Sequence, residues 1–191
     1  MSDGLTLPPH YYDTSTDGPP RARVVARAGA LLVLFAVAGL AGGFAWRHLW
    51  TPPEGFARGG GWVPAPVEEG LQNDFSGVAW YVVVALTLGV LLGTVTALVL
   101  DRAEIVGVGV AILGSALAAY LVLAVGERLS PPDPDEVAAR SADDTRIRGD
   151  LEVEGWTPLL SAPVGALTAV SAVYLLTTRR RVTGGHHADV P

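Results

Sequence analysis

The sequence contains no cysteine and no lysine, and charged residues make up only 17% of its 191 residues. The lack of cysteine excludes disulfide bonds, thiolate catalysis and cysteine-ligated metals. All thirteen basic residues are arginine, which together with the abundant Ala, Val and Gly indicates a GC-rich bacterial genome. Soluble domains usually carry about 25% charged residues, so the composition favours a membrane protein.

Charge is absent altogether from four long stretches. These run from Ala28 to Trp46, from Gly77 to Leu100, from Ile105 to Gly126 and from Pro158 to Thr178. Because a helix rises about 1.5 Å per residue and a bilayer core is about 30 Å thick, each run is about long enough to cross a membrane. Four such helices would leave almost no polar face for water, which argues against a soluble protein. We therefore predict an all-α membrane protein, a four-transmembrane-helix bundle with helices at about 24–48, 77–100, 105–126 and 158–178.

Aromatic residues stand near the ends of two predicted helices. Trp46, His48 and Trp50 close the first helix and Trp80 and Tyr81 open the second, and such side chains favour the membrane interface. A cleaved signal peptide is the alternative interpretation of the first run. Its apolar region should be shorter, however, and no clean Ala-x-Ala site follows.

The segments between the runs define the expected organisation. Residues 1–22 and 182–191 are predicted to be disordered cytoplasmic tails, and 23–181 a membrane domain. The loop at 51–76 is rich in proline and glycine, which precludes a long helix there. The second and third helices are separated only by the turn 101–104, and such a short connection predicts an antiparallel hairpin.

Arginine positions predict the orientation. With both termini in the cytoplasm, the inner set flanks the first and last helices closely and includes one turn residue: Arg21, Arg23, Arg27, Arg102, Arg179, Arg180 and Arg181. The outer loops, 51–76 and 127–156 with their flanks, carry six arginines but also thirteen acids, for a net charge near −7. Basic residues next to membrane helices remain on the cytoplasmic side. We predict a multi-pass protein of the bacterial plasma membrane with cytoplasmic N- and C-termini.

The loop at 127–156 has a pattern of its own. Asp133 followed by Pro134 is typical of a helix start, predicting a short helix to about Arg140. Alternating apolar positions then predict a short strand: Ile147, Leu151 and Val153. We expect this loop to form a small extracytoplasmic cap that packs on the membrane surface or on loop 51–76.

Small residues recur every fourth position in three of the predicted helices. The second helix has Ala85, Gly89, Gly93 and Ala97; the third has Gly107, Ala111, Ser115 and Ala119; the fourth has Ser161, Gly165 and Ala169. In lipid, such ridges allow helix backbones to approach closely. They could serve dimerisation or docking to a partner subunit, or they could pack the four helices of one chain against each other. The second interpretation is favoured in a chain so rich in glycine and alanine.

Motifs for catalysis or metal binding are missing. The helix interiors contain no Asp, Glu, Lys, Arg or His, which disfavours a pump or antiporter. The pair His186-His187 has no third ligand nearby, and the acids of loop 127–156 lack calcium-loop spacing. Neither a Gly-x-Ser-x-Gly motif nor a phosphate-binding loop occurs. We predict no enzyme activity, no catalytic, cofactor-binding or metal-binding residues, and no cofactor.

Several motifs resemble a known family. They are DFSG before the second helix, the DRAE turn, ERLSPPDPD after the third helix and TRIRGDLEVEGWTPLLSAPVGAL before the fourth. From about Phe75 to Arg181 the chain resembles a family of small actinobacterial membrane proteins with four transmembrane helices and no assigned function. The resemblance implies a plasma-membrane protein and supplies no functional residues.

Two functions remain as expectations. The first is a structural or accessory protein of the cell envelope that acts through protein contacts, either with another membrane protein or with a second copy of itself. The alternative is a transport component for a neutral or lipid-like substrate. The lipid bilayer is the expected environment in both, and no nucleic-acid partner is expected.

Overall fold

A computed structural model describes residues 21–184 with the exception of 152 and 154. Its long helices are α1 (Arg21–Leu49), α2 (Val67–Val99), α3 (Glu104–Arg128) and α5 (Ser161–Gly184), with a 3-10 turn at Thr157–Leu160. Four segments of them are long and apolar enough to cross a membrane: Arg21–Leu49, Phe75–Val99, Glu104–Arg128 and Thr157–Thr177. The prediction of four such helices is confirmed.

The predicted tails lie mostly outside the described residues. Where they overlap with the structure, at 21–22 and 182–184, the chain is helical because α1 and α5 extend beyond their predicted ends. The His186-His187 pair also lies outside the described residues.

The helices pack as two close pairs. The most extensive contacts join α2 to α5 and α1 to α3, and α2 also touches α3. The connection between α2 and α3 is the tight turn that the sequence predicts, in which Ala103 N–H donates to the Leu100 carbonyl at 2.9 Å. Consequently α1 and α5 lie on opposite sides of the α2–α3 hairpin.

One predicted boundary is wrong. Helix α2 begins at Val67 instead of near residue 77, so the second half of the loop 51–76 is helical. The prolines that block a helix end at Pro66. Nothing after that position prevents the helix from extending beyond its apolar segment.

The structure also contains a small sheet that an all-α class leaves out. Strands β1 (Glu54–Arg58) and β2 (Gly61–Pro64) form a hairpin, and β3 (Arg146–Arg148) pairs antiparallel with the other side of β1. Gly59 and Gly60 form the two-residue hairpin turn with φ of 59° and 80°. Positive φ at both central residues is what this tight turn requires, and glycine adopts it without steric cost.

Together, residues 51–66 and 129–156 form what we call the loop module. It contains the three strands and the short helix α4 (Pro134–Ala138), which ends two residues before the predicted Arg140. Its own core consists of Ala57, Ala138 and Ile147, with Trp62 and Val137 packed against them. The strand predicted through Val153 covers only three residues, although Leu151 and Val153 are buried as its alternation indicates.

Candidate binding cleft between the loop module and the helix bundle

Two buried side chains anchor the loop module to the helices. Leu151 and Val153 belong to the same apolar cluster as Trp46, Tyr81 and Val122, which come from α1, α2 and α3. The Ser130 hydroxyl accepts a hydrogen bond from Leu151 N–H. The module is therefore held against one end of the bundle by apolar packing as well as by its four chain connections.

Helix α4 is fixed at its N-terminus by carboxylates. Asp133 is the N-cap, and its Oδ1 accepts from Asp135 N–H at 2.9 Å and from Glu136 N–H at 3.4 Å. Asp135 Oδ1 accepts from Trp62 N–H at 2.9 Å, which ties α4 to β2. The prediction of Asp133 as a helix cap is confirmed, and the two carboxylates have defined positions.

The indole of Trp62 is held from the other side. Its Nε1 donates to the Ile147 carbonyl at 3.3 Å, so the ring crosses β1 from β2 toward β3. Trp50 follows directly after α1 and is 3% exposed. A Cβ on Gly77 would lie 3.2 Å from Trp50 Nε1, so the indole rests directly on the backbone of α2.

Between these groups lies a cleft of about 600 Å³. Its walls combine three aromatic rings with three carboxylates: Trp50, Trp62, Phe75, Asp133, Asp135 and Asp150. Pro134, Gly77, Val78 and Leu151 complete the lining. The exposed lining is more polar than apolar, which suits a charged ligand better than an apolar one.

The charge of the cleft is of one sign. No arginine lines it. In the described part of the module, three arginines form exposed ion pairs elsewhere: Arg58 with Asp144 at 3.5 Å, Arg140 with Glu136 at 3.1 Å and Arg146 with Glu54 at 3.0 Å. Those acids do not line the cleft. Carboxylates next to aromatic faces attract cations, through ion pairing and through the ring quadrupole.

A metal ion fits the cleft less well than an organic cation. Among residues 21–184 as described, no three His, Asp or Glu side chains are grouped so that they could hold one metal ion. One carboxylate oxygen on Asp133 and one on Asp135 also accept backbone hydrogen bonds. The aromatic walls favour a cation with apolar surface, such as a guanidinium or an alkylammonium group.

The small-residue ridge of α2 faces α5. A Cβ on Gly93 would lie 2.5 Å from the Ala166 carbonyl oxygen, and one on Gly89 would overlap the Ala162 carbonyl. On the opposite helix, a Cβ on Gly165 would lie 2.7 Å from the Leu86 carbonyl oxygen. The other two ridge residues of α2, Ala85 and Ala97, are buried.

The ridge of α3 lies inside the bundle as well. A Cβ on Gly107 would lie 2.7 Å from the Tyr174 hydroxyl. Ala111 is buried beside Ala97 and Ala166. Ser115 is also buried, and its hydroxyl donates to carbonyls of its own helix, including that of Ile112 at 3.1 Å. The predicted packing residues on α2, α3 and α5 thus lie against neighbouring helices of the same chain.

A second close interface, between α1 and α3, was missed by the sequence reasoning. A Cβ on Gly39 would lie 2.8 Å from Ala118 Cα, and one on Gly43 would lie 2.6 Å from Val125 Cβ. Gly114 faces the ring of Phe35. The spacing of Gly39 and Gly43, four residues apart, is the signal that could have identified this interface.

Three of the aromatics predicted at the membrane interface are buried inside the protein: Trp46, Trp50 and Tyr81. Trp46 and Tyr81 are both 0% exposed, with ring centroids 5.1 Å apart in an edge-to-face arrangement. Trp46 Nε1 donates to the Gly77 carbonyl at 2.8 Å, and Tyr81 donates its hydroxyl to the Ala119 carbonyl at 3.0 Å. Glycines make the space: Gly126 contacts the Trp46 ring. Gly77 also lines the cleft, so the hydrogen bond from Trp46 connects the aromatic core to the lining of the cleft.

No protein-family model, curated protein or solved structure matches this chain. The resemblance to an actinobacterial membrane-protein family therefore stays a prediction.

Proposed function

We propose that this chain is an accessory protein of the bacterial cell envelope, inserted in the plasma membrane, whose loop module recognises a basic segment of a partner protein. The observation that carries the proposal is the cleft, in which Trp50, Trp62 and Phe75 stand beside three carboxylates. An arginine or lysine side chain matches this surface because its apolar stem packs on aromatic rings while its charge meets the carboxylates.

Close helix packing favours an accessory role over transport. Helices α2 and α5 approach so closely that Gly89 and Gly93 have no room for a side chain. Between these helices and α3 lie the buried residues Ala97, Ala111 and Val170. A transport pathway needs a cavity that reaches the middle of the membrane, whereas the cleft lies at one end of the bundle.

The orientation that we propose places the loop module outside the cell and both termini in the cytoplasm. Arginines stand at the opposite end of the two outermost helices, namely Arg21, Arg23 and Arg27 in the first two turns of α1 and Arg179, Arg180 and Arg181 near the end of α5. Basic residues close to membrane helices remain on the cytoplasmic side during insertion. The acidic loop module would then avoid the anionic inner leaflet.

Cysteine labelling tests the orientation. The chain has no native cysteine, so Ala142→Cys and Ser2→Cys give single labelling sites, and Ala142 is exposed. A membrane-impermeant maleimide applied to intact cells should label position 142 and not position 2, and both should react after lysis. Labelling of position 2 alone in intact cells would invert the proposed topology.

Site-specific crosslinking tests the partner. Phe75 lines the cleft and is 76% exposed, so a benzoyl-phenylalanine can replace it conservatively and crosslink a bound partner in the native host. We expect the crosslinked peptide to contain Arg or Lys. Asp135→Asn with Asp150→Asn should lower the crosslink yield about tenfold, since each exposed ion pair contributes up to about 1 kcal/mol.

The matched control removes the same charge from the same module outside the cleft. Asp143→Asn with Asp144→Asn keeps the side-chain shape, and asparagine tolerates the positive φ of 66° at position 144. Its crosslink yield should equal that of the wild type. Equal losses in both double variants, or a crosslinked peptide without basic residues, would contradict recognition by the cleft.

A further inference from the structure

A second concave surface lies at the opposite end of the bundle from the loop module. It is a groove of about 480 Å³ between the beginning of α1 and the beginning of α3. Arg21 and Arg102 stand at its outer end, in the first turn of α1 and in the α2–α3 turn. Its apolar wall continues one to two turns deeper along the helices and includes Val24, Val25, Ala28 and Val106.

The two arginines of this groove are available for a ligand. Within the described residues, neither Arg21 nor Arg102 makes an ion pair or a side-chain hydrogen bond. Arg27, nearly two turns further along α1, donates to the Val99 carbonyl at 3.3 Å and holds α1 against the end of α2. Arg23 adds a further positive charge at this end of the bundle. The turn itself also carries two acids, Asp101 and Glu104.

The groove therefore has a charged end and an apolar wall. A phospholipid is built in the same way, with a charged headgroup and apolar acyl chains. A guanidinium binds phosphate oxygens with two parallel hydrogen bonds, and it is more weakly hydrated than an ammonium group. Basic pockets between membrane helices on the cytoplasmic side bind anionic headgroups. Exposed valines provide contact for an acyl chain, since Val25 is 70% exposed and Val106 41% exposed.

We propose that this groove binds one anionic phospholipid, with its phosphate between Arg21 and Arg102 and an acyl chain along the valine wall. The site rests on the membrane insertion proposed above, but not on the cleft or its partner. Bound in this position, the lipid bridges α1 and the α2–α3 turn, the end of the bundle where few side-chain hydrogen bonds join the helices in the described residues.

Native mass spectrometry of the full chain in detergent tests the site, with phosphatidylglycerol as the probe and phosphatidylcholine of the same acyl chains as the neutral comparison. Wild-type protein should retain phosphatidylglycerol more strongly. Arg21→Gln with Arg102→Gln should weaken its apparent affinity on the order of twenty-fivefold, about fivefold for each arginine. The matched control, Arg23→Gln, removes a charge from the same turn of α1 outside the groove and should change the affinity less than twofold.

Two further comparisons separate the possible outcomes. Glycerol phosphate has the headgroup charge but no acyl chain, so it should bind far more weakly than the lipid; equal binding would overturn the role of the valine wall. Equal effects of Arg23→Gln and the double variant would overturn the specific site in favour of general charge attraction. A chain that fails to reconstitute into vesicles would refute membrane insertion itself, whereas one that reconstitutes without preference for phosphatidylglycerol would refute only the lipid site.

Discussion

Replacing Trp46 with alanine should lower the free energy of unfolding by about 3–5 kcal/mol, the range for deletion of a buried large aromatic. Trp46 is 0% exposed and packs edge-to-face against Tyr81. The substitution would leave a cavity between α1, α2 and α3, and the Gly77 carbonyl would lose its hydrogen bond. Unfolding of the detergent-solubilised protein in increasing dodecyl sulfate, followed by circular dichroism, measures the change.

Two variants separate the contributions at this position. Trp46→Phe retains most of the packing but removes the indole N–H, so it should cost about 1–2 kcal/mol. Trp156→Ala is the control, because Trp156 is 71% exposed, and it should stay within about 0.5 kcal/mol of wild type. If Trp46→Ala were as mild as Trp156→Ala, the aromatic core beneath the cleft would not be a stability determinant.

The helices could be predicted because a helix able to cross a bilayer needs a length and an absence of charge that are visible in any single segment. Apart from Leu100, which follows the last residue of α2, each uncharged run lies within a helix or its 3-10 turn, as in the third, where Ile105 to Gly126 falls inside α3 (Glu104–Arg128). The beginning of α2 could not be read in the same way. Residues after Pro66 are polar, so hydropathy gives no signal there, although nothing in them prevents a helix.

Whether an aromatic side chain is buried or exposed is harder to predict than the helix to which it belongs. Trp46 was expected at the membrane interface because its position at the end of an apolar run is typical of that location. Its burial depends on Gly126, eighty residues away in sequence and directly under the ring. No local sequence pattern indicates that Trp46 and Gly126 are in contact. A glycine at the end of α3 also has several other interpretations.

The sequence contains a local signal for the β1–β2 hairpin, at Gly59 and Gly60. The glycines of loop 51–76 argue against a long helix there, and Gly59-Gly60-Gly61 lacks the lysine and the following helix of a phosphate-binding loop. Two glycines between short apolar segments are also a strong hairpin signal. As a hairpin turn they predict β1 and β2, with the strand predicted in loop 127–156 as the candidate for the third strand of the sheet.

The candidate cleft could not be assembled from the sequence, since its walls come from five separate segments. Trp50 follows α1, Trp62 lies in β2 and Phe75 in α2, while the carboxylates stand at the start of α4 and just after β3. Only the capping role of Asp133 was visible locally. The sequence predicts an acidic outer loop with a short helix and a short strand, whereas the structure adds the aromatic side of the surface.

Replacing Gly93 with isoleucine should lower the free energy of unfolding by about 1–3 kcal/mol through overpacking. A Cβ at this position would lie 2.5 Å from the Ala166 carbonyl oxygen and 2.7 Å from Ala166 Cα. These are backbone atoms, so no side-chain rotation relieves the overlap, and α2 and α5 must separate. Between helices in lipid, the attraction comes from the close contact itself. When α2 and α5 separate, no burial of apolar surface elsewhere replaces that contact.

Gly109→Ile is the matched control for this variant. Gly109 lies in α3, and a Cβ on it would have nothing within 4 Å, so isoleucine there adds the same side chain without an overlap. The dodecyl sulfate titration should place Gly109→Ile close to wild type and Gly93→Ile well below it, with both proteins at the oligomer size of wild type in light scattering. If Gly93→Ile changed oligomer size and not stability, the ridge would serve contacts between chains. If it changed neither, α2 and α5 would not pack through this face.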